Sequence, residues 1–261
     1  MKWISLLVFF PAIAAAAPSG KELLAKQEEA RKIKAFQSSA TLTTTKPGED
    51  ARAKKFTWWR KLGGDGVHFV TLTRFHEPAT IRGEGLLLRE KDGDNDVQLY
   101  LPRFKKIRRV EGQSQSSSFM GSVFSYSDIA MPHAKDYQAE VVREEACPGE
   151  HAKVSCFVVA VTPATEKVKA RTGYGRSLQW VRSDVWLTVK GELYDTKGAL
   201  WKRLEARDVR EVDRANKKWV AHYLRMEDVR AGRVTVLQLG EVRANVSIED
   251  SVFTEQNLST E

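Results

Sequence analysis

The sequence predicts a mainly β protein built on an antiparallel sheet that curls toward a barrel or half-barrel. Short segments rich in Val, Thr, Phe and Trp follow one another along most of the chain, separated by clusters of turn residues. Apolar and polar residues alternate in several of these segments, as expected of strands with one buried face. Only one long helical segment is present, whereas parallel strands need helices between them. Together these observations favour an antiparallel arrangement.

Composition restricts the class of protein. The 261 residues include 42 Lys and Arg against 34 Asp and Glu, a net charge of +8, and 42% of the residues are hydrophobic. Such a chain can build a core, so a disordered protein is excluded. A polytopic membrane protein is excluded because only the N-terminus carries a long apolar run. The two cysteines exclude a disulfide-dense scaffold and a four-cysteine zinc site.

The N-terminus has the layout of a secretory signal peptide. Lys2 precedes an apolar run at residues 3–10, and three alanines at residues 14–16 provide a small-residue cleavage motif. The alternative, a membrane anchor, needs about 20 apolar residues, and this run is shorter. We therefore expect a signal peptide at residues 1–16 and a mature, exported domain at residues 17–261.

The helical segment comes first in the mature chain. Ser19 followed by Glu22 fits a capping box, and residues 21–37 contain neither Gly nor Pro. Leu23 and Ile33 share one face of this predicted helix, with Lys and Glu on the other face. We therefore expect the helix to lie on an apolar surface.

Thirteen strand-like segments follow the helix. They lie at residues 38–45, 54–61, 66–74, 80–89, 96–101, 105–111, 138–145, 154–161, 179–181, 185–194, 201–209, 218–228 and 233–248. Alternation is clearest at Val185, Leu187 and Val189, which places Trp186 on the opposite face. In the last segment Gly240 marks a β-bulge.

The two cysteines flank a turn-rich stretch between two of these segments. Cys147 and Cys156 are separated by eight residues that include Pro148 and Gly149. Opposed residues of a hairpin are about 4.5–5.5 Å apart at Cα, a distance that a disulfide spans. A redox pair would need the closer Cys-x-x-Cys spacing. In an exported protein the sequence therefore predicts a structural disulfide.

Residues 113–127 interrupt the strand pattern. Small polar residues lead into Phe119 and Met120, followed by Phe124 and Tyr126. One interpretation is a mobile loop with an exposed apolar tip. The other is a surface linker whose aromatic side chains pack into the core, since single apolar loop residues are common.

Motifs that carry chemistry are absent from the sequence. The five histidines do not pair with one another, with Cys or with Glu at metal-ligand spacing. Neither a nucleophile elbow, nor a phosphate-binding loop, nor a dinucleotide-binding motif occurs. We therefore expect no catalytic residues, no metal and no cofactor.

The densest positive run lies at residues 101–109. Its basic residues include Arg103, Lys105, Arg108 and Arg109, with an aromatic residue among them. This pattern is also typical of nucleic-acid binding, but an exported protein rarely meets nucleic acid. Anionic headgroups or an acidic partner suit the run better. A solvated strand edge protected by charge is the third interpretation.

Several stretches resemble the family of outer-membrane lipoprotein-sorting proteins. DVQLYLPRFKKIRRV at residues 96–110 and SFMGSVFSYSDI at residues 118–129 carry the resemblance most clearly. LYDTKGALWK at residues 193–202 and SVFTEQNL at residues 251–258 agree with it, so the resemblance covers nearly the whole mature chain. More distantly, the chain is similar to the LolA/LolB carriers of bacterial lipoproteins.

The resemblance implies an unclosed antiparallel half-barrel whose concave apolar face is covered by the N-terminal helix and by loops. It implies a periplasmic carrier of lipid or lipoprotein acyl chains, which moves them toward the outer membrane. Relatives that accompany exporters of the resistance-nodulation-division type imply an alternative, a non-catalytic accessory that docks on an inner-membrane exporter. On the carrier hypothesis the cavity or lid residues are Phe119, Met120, Phe124, Tyr126, Trp58, Trp59 and Trp186, and the docking residues are Arg103, Lys105, Arg108 and Arg109. Trp58 and Trp59 are neighbours on a strand and must face opposite sides.

Overall fold

The computed structural model describes residues 17–260, and half of the chain is β-strand. Within that range the strands are β1 (Ala35–Thr45), β2 (Arg52–Leu62), β3 (Phe69–Glu77), β4 (Gly85–Arg89), β5 (Asp96–Leu101), β6 (Lys106–Arg109), β7 (Tyr137–Ala146), β8 (Ser155–Pro163), β9 (Tyr174–Arg182), β10 (Thr188–Asp195), β11 (Leu200–Asp213), β12 (Lys218–Asp228) and β13 (Arg233–Ala244). The α-helices are α1 (Gly20–Arg31), α2 (Tyr126–Ile129), α3 (Glu166–Thr172) and α4 (Glu255–Leu258). The predicted signal peptide, residues 1–16, lies outside the described residues.

All of these strands form one antiparallel sheet that does not close into a barrel. Neighbours in sequence pair with each other, and β1 also pairs with β13, so the strand order is β6-β5-β4-β3-β2-β1-β13-β12-β11-β10-β9-β8-β7. This order places β6 and β7 at opposite edges, although they follow one another in the chain. The connection between them therefore has to cross from one edge of the sheet to the other.

The strand predictions hold in number and, at two strands, in their exact bounds. β5 and β12 have the predicted bounds, and the bulge at Gly240 is confirmed by the shift in register between the pairs Ser38–Val242 and Ala40–Leu239. A side chain at Gly240 would collide with Ser39, because its Cβ would lie 2.2 Å from the Ser39 hydroxyl. Glycine therefore permits the close approach of the two strands at this bulge.

The helix prediction is correct at its beginning and wrong at its end. The Ser19–Glu22 capping box is present, but α1 ends at Arg31 instead of residue 37. Lys32 already has extended backbone angles, and β1 begins at Ala35. Residues 35–37 join the sheet because they pair with β2 on one side, and tertiary pairing overrides local helix propensity.

The strands β3, β4 and β5 have buried residues on both faces of the sheet. We call the face that carries Phe56, Trp58 and Leu237 the inner face. The opposite, outer face carries Leu72 and Leu87. It is covered by the tail, residues 246–258, through the buried side chains Ile248, Phe253 and Leu258.

In the other half of the sheet, α1 supplies the cover. Leu23 and Leu24 pack with Phe157, Val159 and Val181 of β8 and β9. No helix within residues 17–260 combines the length and the apolar character that crossing a bilayer would require.

The predicted disulfide is confirmed. Cys147 and Cys156 are bonded, with their Cα atoms 4.9 Å apart, at the end of the β7–β8 hairpin. Both residues are buried beside Trp180 and Val189. The bridge therefore closes the hairpin from within a small apolar cluster.

Candidate functional site

Part of the β6–β7 connection lies on the inner face of the sheet. We call residues 118–131 the lid segment. Phe119 is 1% exposed, and its ring lies 6.0 Å from that of Phe75 and 5.8 Å from that of Tyr126. Phe124 is buried in the same cluster. The interpretation of an exposed apolar tip is therefore wrong, and the alternative, aromatic side chains packed into the core, agrees with the structure.

Local sequence explains the compact path of the lid segment. Met120 adopts a left-handed backbone (φ 51°) beside Gly121 (φ 75°), which reverses the chain after Phe119. Ser125 then caps α2 in a capping box with Asp128. The turn and the cap together direct Phe119, Phe124 and Ile129 toward the sheet.

The lid segment nearly fills the space over the inner face. A cavity of about 10 Å³ remains between them, which is about what one water molecule needs. It is lined by Leu42, Phe56, Trp58, Thr73 and Leu237 of the sheet and by Phe119, Phe124 and Ile129 of the lid segment. An acyl chain can enter this space only if the lid segment moves.

Arg60 is a buried cation under the lid segment. Its guanidinium donates to the Ile129 carbonyl oxygen (2.9 Å), to the Met131 sulfur (2.8 Å) and to the Thr71 hydroxyl (3.1 Å). It also lies 4.9 Å from the centre of the Trp58 ring, a cation–π contact. Burial lowers the pKa of Arg60 to about 10. The side chain therefore ties the end of the lid segment to β2 and β3.

A second buried contact holds the same end of the lid segment. The Glu90 carboxylate accepts hydrogen bonds from the backbone N–H groups of Met131 (2.7 Å) and Phe69 (2.9 Å). It also lies 3.3 Å from Nε2 of His133. The contact with Glu90 raises the pKa of His133, against the effect of burial. From the other side, Glu28 of α1 accepts the Ala134 N–H (2.7 Å).

Asp128 joins the lid segment to the other half of the sheet. The Tyr174 hydroxyl lies 3.1 Å from its carboxylate, and Lys202, which is 3% exposed, lies 3.5 Å from it. Burial, followed by the charge of Asp128, raises the pKa of Tyr174 well above its ordinary value. Near the middle of the lid segment, the Val123 N–H donates to the Thr235 hydroxyl (2.9 Å). Polar contacts thus fasten the lid segment at its middle and at its end.

The three tryptophans predicted for the cavity lie in three different places. Trp58 lines the inner-face cavity, and Trp59 packs on the outer face with Ala35 and the tail. Trp186 stacks on Phe157 next to α1 (5.8 Å). Its prediction as a strand residue is wrong, because β10 begins only at Thr188 and Trp186 has a left-handed backbone (φ 57°). Contact of any of the three with a ligand stays a prediction.

The basic run lies at the free edge of the sheet. Arg103 belongs to a short turn, Lys105 ends that turn, and Arg108 and Arg109 belong to the edge strand β6. All four are exposed. Arg109 has a long-range partner, Glu255, at 3.8 Å. None of the four residues lines the cavity.

The structure brings together residues that the sequence analysis missed, chiefly Arg60, Glu90 and Asp128. Arg60 had a signal in the sequence: it alternates with Trp58 and Phe56, which places a charge on a face of apolar side chains. Asp128 and Glu90 carried no comparable signal. Among residues 17–260, no group of three or more His, Cys, Asp or Glu side chains is placed to hold a metal ion.

Comparison with known proteins now identifies the family. A family model described as "uncharacterized protein" matches residues 70–260. The chain belongs to this family. No curated protein matches its sequence.

Solved structures of similar proteins share the whole fold. A DUF1329 family protein from Desulfovibrio piger is 28% identical, with a TM-score of 0.84 over 92% of this chain and 97% of that chain. An outer membrane lipoprotein-sorting protein domain from Vibrio parahaemolyticus is 23% identical, with a TM-score of 0.83 over 92% of this chain and 98% of that chain. A LolA superfamily protein from Nitrosomonas europaea is 22% identical, with a TM-score of 0.69 over 92% of this chain and 100% of that chain. The family member described here therefore has the LolA-like fold that the resemblance implied.

Proposed function

We propose that this protein is a periplasmic carrier that binds acyl chains of lipids or lipoproteins between the lid segment and the inner face and moves them toward the outer membrane. The observation that carries the proposal is a continuous apolar face covered by an internal segment that polar contacts hold in place. Binding would require no covalent chemistry, so the protein would act as a carrier and not as an enzyme. The LolA-like fold supports the proposal.

Binding of an acyl chain would exchange one apolar cover of the inner face for another. Each CH₂ group transferred from water to an apolar site contributes about 0.8 kcal/mol. An entering acyl chain would replace the contacts that Phe119, Phe124 and Ile129 make with the sheet. The backbone groups of the displaced lid segment would form hydrogen bonds with water, so each would cost much less than a buried unsatisfied group.

Two side chains at the cavity have polar atoms without a partner among the described residues. These are Trp58 Nε1 and Thr73 Oγ1, and both residues are buried. Buried polar atoms are ordinarily hydrogen-bonded. Under the proposal, the ester or carboxyl oxygens of a lipid would accept hydrogen bonds from these groups.

Trp58 and Trp59, which are adjacent in the chain and face opposite sides of the sheet, provide a direct test of binding at the inner face. Titration with a fluorescent fatty-acid analogue should quench tryptophan emission saturably. Trp58→Phe should remove most of the saturable quenching, whereas Trp59→Phe, one residue away on the outer face, should retain it. Equal retention by both variants would place the bound analogue elsewhere on the molecule.

Motion of the lid segment can be tested by locking it. Val123→Cys with Thr235→Cys replaces two residues in hydrogen-bond contact and would link the lid segment to β13. We expect the oxidised variant to lose binding of the analogue and the same variant to regain it after reduction. Wild-type protein under both conditions is the control, since its own disulfide lies in the β7–β8 hairpin.

A second candidate function has one observation in its favour. A cavity of only about 10 Å³ is also what an accessory protein that carries nothing would have, for example one that docks on an inner-membrane exporter. Lipid extraction and mass spectrometry of protein purified from the exporting cell separate the two. Stoichiometric lipid supports the carrier. Absence of lipid, together with no uptake by a variant whose lid segment is loosened, supports the accessory.

A further inference from the structure

The corner between β5 and β6 exposes apolar side chains in the middle of the basic run. Phe104 is 62% exposed and Ile107 is 37% exposed; among the described residues, the other large exposed hydrophobic residue is Val142. The corner consists of the turn Pro102–Phe104, Lys105 and β6. Two of these three residues thus lie within four positions of each other at one edge of the sheet.

Four of the five basic side chains at this corner have no carboxylate partner among the described residues. Within residues 17–260, Arg103, Lys105, Lys106 and Arg108 have no carboxylate within 4.0 Å, while Arg109 has Glu255 at 3.8 Å. By contrast, the opposite edge strand β7 exposes Glu140 and Glu144. The sheet is therefore positive at one free edge and negative at the other.

The register of β6 directs its side chains to both sides of the sheet. Arg108 lies opposite Leu99, which pairs in turn with the inward-facing Leu86 of β4. Ile107 lies opposite Tyr100, which faces outward. The turn before β6 ends at Lys105 in a left-handed backbone (φ 49°), which leaves Phe104 projecting at the tip. Basic side chains therefore lie on both sides of the edge strand, Arg108 on the inner and Arg109 on the outer side, and the Arg103 guanidinium lies 5.9 Å from the centre of the Phe104 ring.

We propose that the β5–β6 corner, residues 102–109, docks on an anionic lipid surface, with Phe104 and Ile107 entering the headgroup region and the basic side chains pairing with lipid phosphates. The inference rests on the proposed carrier function, to which it adds the membrane surface as the partner. A solvated, charge-protected edge explains the basic residues but not the exposed Phe104. Weak apolar insertion combined with a basic cluster is how peripheral proteins attach reversibly to anionic membranes.

Docking at this corner would also place the lid segment near the membrane. Arg108 is on the inner side of β6, and its charge acts on Tyr126 of the lid segment. This orientation would bring the cavity rim to the place where an acyl chain leaves the bilayer.

Vesicle sedimentation tests whether the basic side chains of the corner bind anionic lipid. The probes are phosphatidylcholine vesicles with and without phosphatidylglycerol. Wild-type protein should bind only the vesicles with phosphatidylglycerol, and less so as salt is raised. The quadruple variant Arg103→Gln, Lys105→Gln, Lys106→Gln, Arg108→Gln should bind about ten-fold more weakly or worse. The matched control Lys153→Gln, Lys197→Gln, Arg214→Gln, Lys217→Gln loses the same charge at exposed positions elsewhere and should bind like the wild type.

An environment-sensitive dye tests insertion of the apolar side chains. The dye is attached at Phe104→Cys or, as a matched control at the opposite edge, at Val142→Cys. Anionic vesicles should increase and blue-shift the emission at position 104 and leave position 142 unchanged. Equal responses at both positions, or none at either, would overturn insertion at this corner.

Failure of this inference is distinguishable from failure of the carrier proposal. The quadruple variant should bind the fatty-acid analogue as the wild type does, because its substitutions lie outside the cavity. If the quadruple variant keeps wild-type vesicle binding, or the wild type ignores anionic vesicles, the docking inference is wrong, whatever the analogue shows. In the second case, an acidic protein partner or a solvated edge would account for the basic run.

Discussion

The inner and outer faces of the first half of the sheet have different covers. The lid segment covers the inner face, and its contacts include the buried charges of Arg60 and Asp128. The tail covers the outer face, and the centre of its contact is apolar, with Phe253 and Leu258 packed on Leu72 and Leu87. Arginines bond backbone carbonyls of both covers, for example Arg89 to Phe253 (2.8 Å).

We infer that the lid segment, and not the tail, is the cover that opens, because the cavity of about 10 Å³ lies beneath it. Both covers bury apolar side chains, Phe119 in one and Phe253 in the other, and both accept hydrogen bonds from arginines. The polar contacts of the lid segment exchange for hydrogen bonds to water on opening, and each contributes only about 0.5–1.5 kcal/mol net. The lid segment is also attached to the sheet edges at both ends, so it can move away without leaving the molecule.

Truncation of one buried aromatic side chain in each cover should have the largest effect. Phe119→Ala and Phe253→Ala should each lower the free energy of unfolding by about 3–5 kcal/mol, because each leaves a cavity. Only Phe119→Ala should increase binding of a fluorescent fatty-acid analogue. Urea unfolding and dye titration measure the two quantities. Equal dye binding by both variants would mean that the two covers are equivalent.

Removal of the disulfide tests whether a loss of stability by itself increases dye binding. Cys147→Ser with Cys156→Ser should lower the free energy of unfolding by about 2.5–3 kcal/mol, as expected for a loop of this size. Dye binding should stay unchanged, because the bridge touches neither cover. An increase in dye binding would show that any destabilised variant takes up dye, and the comparison of the covers would lose its meaning. Thiol labelling of denatured, unreduced wild-type protein should find no free cysteine.

Loss of an arginine contact should lower the free energy of unfolding less than loss of a buried aromatic side chain does, and it should still distinguish the two covers. Arg60→Met leaves the Ile129 carbonyl oxygen without its donor and should cost about 1–3 kcal/mol. It should also raise dye binding, since the end of the lid segment is loosened. Arg74→Met is the matched control, because Arg74 donates to the Leu258 carbonyl oxygen of the tail (3.1 Å). A similar gain in dye binding from Arg74→Met would contradict the assignment of the lid segment as the moving part.

The smallest expected effect is a dependence on pH at the end of the lid segment. The pKa of His133 is raised in the folded protein by Glu90, with smaller contributions from Glu28 and Asp136. The stabilisation is therefore fully present below the unfolded pKa of about 6.5 and is lost as pH rises through the raised pKa. Thermal melting between about pH 6 and pH 8 should show a decline that His133→Gln reduces. His76→Gln, at an exposed position, should leave the decline as it is.

Much of the fold could be predicted because its signals are local. The capping box of α1, the turn residues between strands and the bulge at Gly240 depend on neighbours in the chain or on a single close approach. The end of α1 could not be predicted, because β2 is what draws residues 35–37 into the sheet. Trp186 was misplaced for a related reason: residues 183–187 form the turn between β9 and β10, so the alternation of Val185 with Leu187 in the sequence does not belong to a strand.

By itself, the sequence determined the strands, the antiparallel class, the disulfide pair and the position of the basic run, since periodicity, turn chemistry and charge are properties of short segments. Only the tertiary structure decided where the β6–β7 connection goes. Pairing of β1 with β13 sends β6 and β7 to opposite edges. The chain between them packs on the inner face through Phe119, Phe124 and Ile129. The contact of Arg60 with Ile129 joins residues 69 positions apart. Such contacts depend on the whole sheet, because a buried charge finds its partner only after the strands have brought the two segments together.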